Sequence, residues 1–218
     1  MASGTDGNIT WNLNESTWVL TVSGTGDMTN YSTASNVPWA SYKSKIMSVV
    51  IESGVTTIGV NAFYNCTALT SVKIADTVDT LANYSFRYAT ALTSITIPKN
   101  VSTIGMQAFQ GCSSLKEIYF MCETKPYMNK NSFQLAYAAP AVTATVYTKG
   151  GWGSDSAFTS TVKGSYVTFT YKELVTVNVN VNVGGSWKPS LPYVNVNGTW
   201  KEVVGVYVNV NGTWKEAS

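Results

Sequence analysis

From Ile46 onward the chain repeats itself with a 23-residue period, its units starting at Ile46, Leu69, Leu92 and Leu115. A fixed period constrains the fold more than any local pattern, because it makes each stretch a copy of one supersecondary unit that must stack on its neighbours. The apolar positions fall into columns. Val49, Val72, Ile95 and Ile118 form one, and Ile51, Ile74, Ile97 and Phe120 the next. Ile58, Leu81, Ile104 and Tyr127 make a third, and Phe63, Phe86 and Phe109 a fourth, with Phe133 displaced by one position. The last unit is degenerate, as a terminal repeat is expected to be.

Within a unit, Leu69 to Ala75 alternates apolar and polar side chains, the period of a half-buried strand. The stretch Gly59 to Cys66, with Gly105 to Cys112 in the matching place, reads as a turn and a short helical segment carrying the inward aromatic. No unit can bury its apolar face alone. The expectation is a short solenoid with one continuous sheet, each coil adding a strand ~4.8 Å from the last.

The pattern Ile-Gly-x-x-Ala-Phe-x-x-Cys, then Leu-x-x-Ile-x-Ile, occurs at Ile58 to Phe63, Cys66 and Leu69 to Ile74, and again at Ile104 to Phe109, Cys112 and Leu115 to Phe120. It resembles the BspA-type class of bacterial leucine-rich repeats. The lead-in resembles that class too, with Ile9 to Leu13, a turn at Asn14 to Ser16, Trp18 to Val22, Gly24 to Met28 and Pro38-Trp39. It reads as a hairpin covering the open end of the solenoid, where a bare edge would invite pairing with another chain. The resemblance spans residues 4–147 and implies a binding or adhesion module with no fixed ligand.

Composition removes several functions. Among 218 residues there is no histidine, which excludes imidazole as base, nucleophile or metal ligand. Charged residues are 12% of the chain, the net charge is +2, and Arg87 is the single arginine. A nucleic-acid footprint needs a clustered basic face, so no nucleic-acid partner is expected. No apolar run reaches the ~20 residues of a membrane span, and the first 42 residues hold no Lys or Arg. Neither membrane insertion nor a secretory signal is therefore expected.

Cys66 and Cys112 share a column two units apart, about 10 Å by strand spacing, beyond the ~7 Å reach of a disulfide. Ala89 fills the slot between them, so the column reads as a place for a small buried residue. Cys122 reads as unpaired. Asp76 and Asp79 are the nearest carboxylate pair, but Ser53 and Thr56 stand in their place one unit earlier, which marks them as solvated loop positions. The glycines at 150–153 lack the Lys-Ser/Thr of a phosphate loop and read as turns. No catalytic residue, metal ligand or cofactor is expected, and the chain does not read as an enzyme.

On the strand face turned away from the core, Lys73, Thr96 and Tyr119 follow Val50 in one column, and Ser71, Ser94 and Glu117 follow Ser48 in the next. Hydroxyls beside a Tyr and a Lys suit a polar, saccharide-like ligand through ring stacking and hydrogen bonds. A plain solvated sheet face explains the same residues without one.

Ala141 to Tyr147 and Ser165 to Tyr171 read as two further strands closing the far end. After Leu174 the run Val175 to Val183 alternates Val with Thr or Asn, and three motifs follow that place Trp187, Trp200 and Trp214 just beyond Gly-Gly or Asn-Gly turns. Asn-Gly between alternating residues is the strongest short hairpin signal, because a type I′ turn needs positive φ at both central residues. A lone hairpin is marginal in water, so these tryptophans pack on each other, on the solenoid or on neighbouring subunits. Such Trp-Lys hairpins resemble the tails of phage virion proteins.

The expected fold is mainly β with short helical segments: an N-terminal hairpin cap over 1–44, a leucine-rich-repeat solenoid over 45–134, cap strands over 135–174 and a hairpin module for attachment or oligomerisation over 175–218. The leading functional expectation is a phage structural protein, made in the host cytoplasm and displayed on the virion as a tail fibre, receptor-binding protein or capsid decoration. Its partners would be other virion proteins, copies of itself and a host-surface glycan or protein. The alternative is a secreted or cell-wall bacterial adhesin.

Overall fold

A computed structural model describes residues 1–129, 131–135, 142–148, 167–173, 193–196, 199–202, 207–210 and 213–216. The chain divides into two compact units, Met1–Leu174 and Val175–Ser218. Strands in the first unit are β1 (Ala2–Asp6), β2 (Ile9–Asn14), β3 (Val19–Gly24), β4 (Gly26–Asp27), β5 (Ser48–Ile51), β6 (Val55–Ile58), β7 (Ser71–Ile74), β8 (Thr80–Leu81), β9 (Ser94–Ile97), β10 (Thr103–Ile104), β11 (Glu117–Phe120), β12 (Tyr127–Met128), β13 (Val142–Thr148) and β14 (Val167–Glu173). The second unit contributes β15 (Tyr193–Val196), β16 (Thr199–Glu202), β17 (Tyr207–Val210) and β18 (Thr213–Glu216).

Each repeat unit supplies one strand to each of two parallel ladders. In one, Ser48 pairs with Ser71 and Ile51 with Ile74, and farther along Glu117 pairs with Ser94 and Phe120 with Ile97. In the other, β4, β6, β8, β10 and β12 run unbroken. Val49, Ile51, Ile95, Ile97, Ile118 and Phe120 all point into the core and are buried, as the alternation predicts. Between the ladders lies an aromatic spine. Trp39, Phe63, Phe86, Phe109 and Phe133 stack in sequence, with ring centroids 5.6, 5.2, 5.4 and 4.9 Å apart.

The expected short helical segments are absent from the repeats; among the described residues the one helical element is a 3₁₀ turn at Ala40–Tyr42. The reason lies in where the backbone donors go. Asn61, Phe63 and Asn65 give their N–H groups to Asn83, Ser85 and Arg87 of the next coil, and Tyr84, Phe86 and Tyr88 repeat this toward Met106, Ala108 and Gln110. A helix would have used those donors within its own turn. Asn61 and Asn65 adopt positive φ, at 59° and 60°, as Tyr84 and Tyr88 do one coil on, while Phe63 and Phe86 between them do not. The motif glycine has its own cause: a Cβ on Gly105 would sit 2.6 Å from the Asn83 backbone nitrogen of the preceding coil.

At the N-terminal end β1, β2 and β3 are antiparallel, and β3 then pairs in parallel with β5, so the first repeat strand has a neighbour on that side. Strand β1 lies outside the hairpin that the sequence predicts. Gly7, at φ 61°, supplies the tight turn that joins it to β2, with Asp6 opposite Ile9.

Two expectations are corrected. The third column continues to Met128 rather than Tyr127, because Ile104 pairs with Met128 while Tyr127 faces outward and is 68% exposed. The sheet expected to be continuous is also interrupted: the strands order as β1-β2-β3-β5-β7 and, separately, β9-β11-β13-β14. Ala75 N–H donates to Ile51 and Met121 N–H to Ile97, but the residue that should bridge β9 to β7 at this place is Pro98, which has no N–H. Val72 and Ile74, on the strand beside this break, are only partly buried, unlike their column mates.

Candidate functional site

The outward positions of the first ladder carry the candidate residues, because alternation along each strand sends every second side chain away from the core. Ser94 stands beside Glu117 and Thr96 beside Tyr119 in direct register on β9 and β11, all four partly exposed. Ser71 and Lys73 occupy the same rows on β7 and are exposed. They lie across the seam left by Pro98, so the six residues share one face without sharing one hydrogen-bonded sheet.

The row gains a member that the period could not reveal. Tyr119 pairs with Tyr147 on β13, and their rings stack at 4.4 Å with an interplanar angle of 8°. The step from Tyr119 to Tyr147 is longer than the repeat period, so column reading stops one strand short. Strand β14 adds Lys172 to the same row by register. The β13 and β14 strands match the two late strands read from the sequence, shifted by one or two positions.

One face of the Tyr119 ring is covered by Tyr147, and the strand on its other side presents the small Thr96. At the far side of the face Ser71 Oγ donates to Ser48 Oγ at 2.9 Å. The face thus carries a stacked aromatic pair, the hydroxyls of Ser71, Ser94 and Thr96, and the exposed Lys73 across the seam. This is chemistry for holding a polar ring, with hydroxyls that both donate and accept.

Residues set aside as non-catalytic have structural occupations. Asp76 pairs with Lys99 at 3.1 Å on the surface. Cys66, Cys112 and Cys122 are buried free thiols. Burial pushes the Cys66 and Cys112 thiols up to about 12 and that of Cys122 up to about 11. Cys112 Sγ donates to the Phe86 carbonyl at 3.2 Å. Arg87 lies against the rings of Tyr64, Tyr84 and Tyr88, at 5.6, 5.6 and 4.7 Å from their centroids. Hydrogen bonds from Thr56 and Thr57 hold the Asp27 carboxyl below the usual carboxylate range. No group of His, Cys, Asp and Glu fit to hold a metal occurs among the described residues, and no described helix is long and apolar enough to cross a membrane.

In the second unit β15 pairs antiparallel with β16 and β17 with β18, in identical register: Asn195 opposite Trp200, and Asn209 opposite Trp214. These two strand pairs fall at the second and third of the expected Trp motifs. Trp187, the run Val175 to Val183 and the glycines at 150–153 lie outside the described residues.

Residues 40–139 match the BspA type leucine rich repeat region in six copies. Among solved structures, the chain is similar to a leucine-rich repeat protein from Eubacterium ventriosum, at 25% identity over 61% of this chain and 45% of that one, with a TM-score of 0.38. Another from Bacteroides ovatus is 23% identical over 59% of this chain and 31% of that one, with a TM-score of 0.44. A leucine rich cell surface protein from Faecalibacterium prausnitzii is 21% identical over 68% of this chain and 55% of that one, with a TM-score of 0.30. The chain spans less than half the length of the first two. No curated protein matches the sequence.

Proposed function

We propose that this chain is a non-enzymatic binding protein of a bacterial cell surface, whose repeat domain holds a polar glycan or glycosylated partner on the face formed by β7, β9 and β11. The observation that carries it is the in-register row Thr96, Tyr119 and Tyr147, with the Tyr119 and Tyr147 rings stacked, on the same face as the exposed Lys73 of β7. The BspA-type repeats of residues 40–139 support the setting, since that class resembles surface adhesins. Ser71, Ser94 and Glu117 supply the second row of hydrogen-bonding groups.

The Trp-Lys hairpins act as the attachment element. Two-stranded sheets with unpaired edges need a neighbour for stability, which supports docking or self-association through the segments that carry Trp187, Trp200 and Trp214. A virion placement rests on the resemblance of these hairpins alone. Mass spectrometry of purified particles and of cell envelopes distinguishes the two locations.

The binding test is a glycan array with the full chain, the Tyr119→Ala variant and the Lys73→Ala variant. The native protein retains a defined set of glycans; the Tyr119→Ala variant loses about two- to tenfold in affinity and the Lys73→Ala variant about tenfold or more, because ring stacking contributes roughly 0.5–1.5 kcal/mol and a charged hydrogen bond roughly 1.5–3 kcal/mol. Unchanged retention by a folded Tyr119→Ala protein sinks the assignment.

A further inference from the structure

The second ladder has an outward face of its own. Ile58, Leu81 and Ile104 point inward and are buried, so the residues before them, Thr57, Thr80 and Thr103, face away from the core. Register sets these threonines in one row, with Asp27 at one end and Tyr127 at the other. The tyrosine owes its place to an insertion. Loops 75–79 and 98–102 each hold five residues and 121–126 holds six, so the period alone would bring Pro126 opposite Thr103, and the extra residue brings Tyr127 there instead. Its side chain is 68% exposed on a backbone held by the ladder.

The two carboxylates of this face are in different states. At one end Thr56 Oγ1 and Thr57 Oγ1 both donate to Asp27 Oδ1 at 2.6 Å, so neighbouring positions turn two hydroxyls to one carboxylate. Asp79 stands one coil on, in the place of Thr56, and its backbone carbonyl accepts from the N–H groups of Ser102 and Thr103. Their hydroxyls leave its carboxylate unserved. Ser102 Oγ donates to the Asp79 backbone carbonyl at 3.4 Å, and the exposed Asp79 carboxylate has neither a hydrogen bond nor an ion pair among the described residues. The hydroxyls of Thr80, Thr103 and Tyr127 are uncommitted there as well. From Thr80 to Tyr127 is two strand steps, ~10 Å, with the small Thr103 between them. That gap is the size of one sugar ring.

An ionised carboxylate only accepts hydrogen bonds, so it selects hydroxyl donors and repels an anion. An exposed aromatic ring selects an apolar face. A neutral hexose has both, hydroxyls around its rim and C–H groups on its face. We infer that the outward face of β8, β10 and β12 is a second binding site, on the other ladder from the strand face, for one neutral sugar ring. Tyr127 stacks on the sugar, Asp79 accepts two of its hydroxyls as Asp27 accepts those of Thr56 and Thr57, and Thr80 and Thr103 supply the remaining hydrogen bonds.

Calorimetric titration of the full chain with cellobiose, maltose and lactose and, for comparison, with sodium glucuronate tests it. At least one of the three neutral disaccharides binds saturably, more tightly than glucuronate, with an affinity that added salt leaves unchanged. Tyr127→Ala lowers that affinity about two- to tenfold, the worth of a stacked ring, and Asp79→Asn about tenfold or more, the worth of hydrogen bonds to a charged group. Both side chains are exposed, so neither substitution disturbs the core, and circular dichroism checks the fold. The Tyr119→Ala chain retains this binding, so a failure of the strand-face reading and a failure of this one are separable. Absence of saturable binding by all three disaccharides, equal or tighter binding of glucuronate, or full retention by a folded Tyr127→Ala/Asp79→Asn variant overturns the inference.

Discussion

Phe86→Ala is the sharpest test of the stacked-coil architecture. Phe86 is fully buried and its ring lies between those of Phe63 and Phe109, at 5.2 and 5.4 Å. Truncating a core Phe to Ala costs ~3–5 kcal/mol, more where the walls cannot collapse into the void. Collapse is resisted here, because the backbone of the same turn is tied to both neighbouring coils: Phe63 N–H donates to Ser85, and Phe86 N–H donates to Ala108. We therefore expect about 4–5 kcal/mol, a large share of the ~5–15 kcal/mol total of a domain. At ~2–4 °C per kcal/mol for a unit of this size, the thermal midpoint falls by about 8–20 °C. Phe133→Ala should cost less, about 3 kcal/mol at the lower end for a buried Phe, since Phe133 keeps 7% of its surface exposed where Phe86 keeps none. Urea and thermal unfolding followed by circular dichroism measure both. A Phe86→Ala loss well under the ~3 kcal/mol floor for a buried Phe, or a larger loss for Phe133→Ala, would refute a continuous aromatic spine.

Pro98→Ala returns the missing donor to the seam between β7 and β9. A net hydrogen bond is worth ~0.5–1.5 kcal/mol, and losing the proline's restriction of the unfolded chain costs ~0.4–1 kcal/mol. By the difference of those two, stability should change by less than ~1 kcal/mol while the new amide becomes protected in hydrogen exchange; free exchange there means the seam has another cause. The buried thiols predict alkaline lability. Their folded pKa values, about 12 for Cys66 and Cys112 and about 11 for Cys122, lie above the ordinary 9.0. The folded state thus keeps protons that the unfolded chain releases. Stability is full below pH ~9 and falls as pH rises toward the folded values, by up to ~1.4 kcal/mol per pH unit for each thiol. Cys66→Ala, which copies the natural Ala89 of the same column, should flatten that fall measurably in urea melts between pH ~9 and ~11.

The buried columns are legible in the sequence because a 23-residue period makes inward positions repeat: Val49, Ile95 and Ile118 are buried, and only Val72 of the same column, beside the seam, is partly exposed. What the period cannot show are its own interruptions. Counting by the period assigns Tyr127 to the core because it carries straight across the insertion, whereas the chain absorbs the extra residue in loop 121–126 and turns Met128 inward. Phe133, one position late by count, is for the same reason in stack with Phe109. The expected helical segments fail on a different point: local composition does not reveal that the turn's N–H groups are claimed by the next coil. Pro98 is visible in the sequence and marks one end of the seam, but the bonds from Thr93 and Ser94 to Thr70 that the neighbouring coils make at the other end are missing as well, and no residue type there announces it. Gly7 marks the turn into β1.

A perfectly regular solenoid presents the same surface at every coil and has no reason to bind at one place rather than another. In this chain three departures from regularity fall on adjacent coils. Pro98 opens the ladder beside Thr96, the extra residue in the loop after β11 turns Tyr127 outward, and β13 brings Tyr147 against Tyr119 where the repeat has ended. Each breaks a rule of the period in the backbone and each leaves polar or aromatic side chains partly exposed next to the break. The unbroken second ladder and the aromatic spine carry the coil-to-coil stacking past the seam. That separation of duties makes the local irregularities tolerable, and it places the proposed recognition groups on the outward faces of the strands beside them.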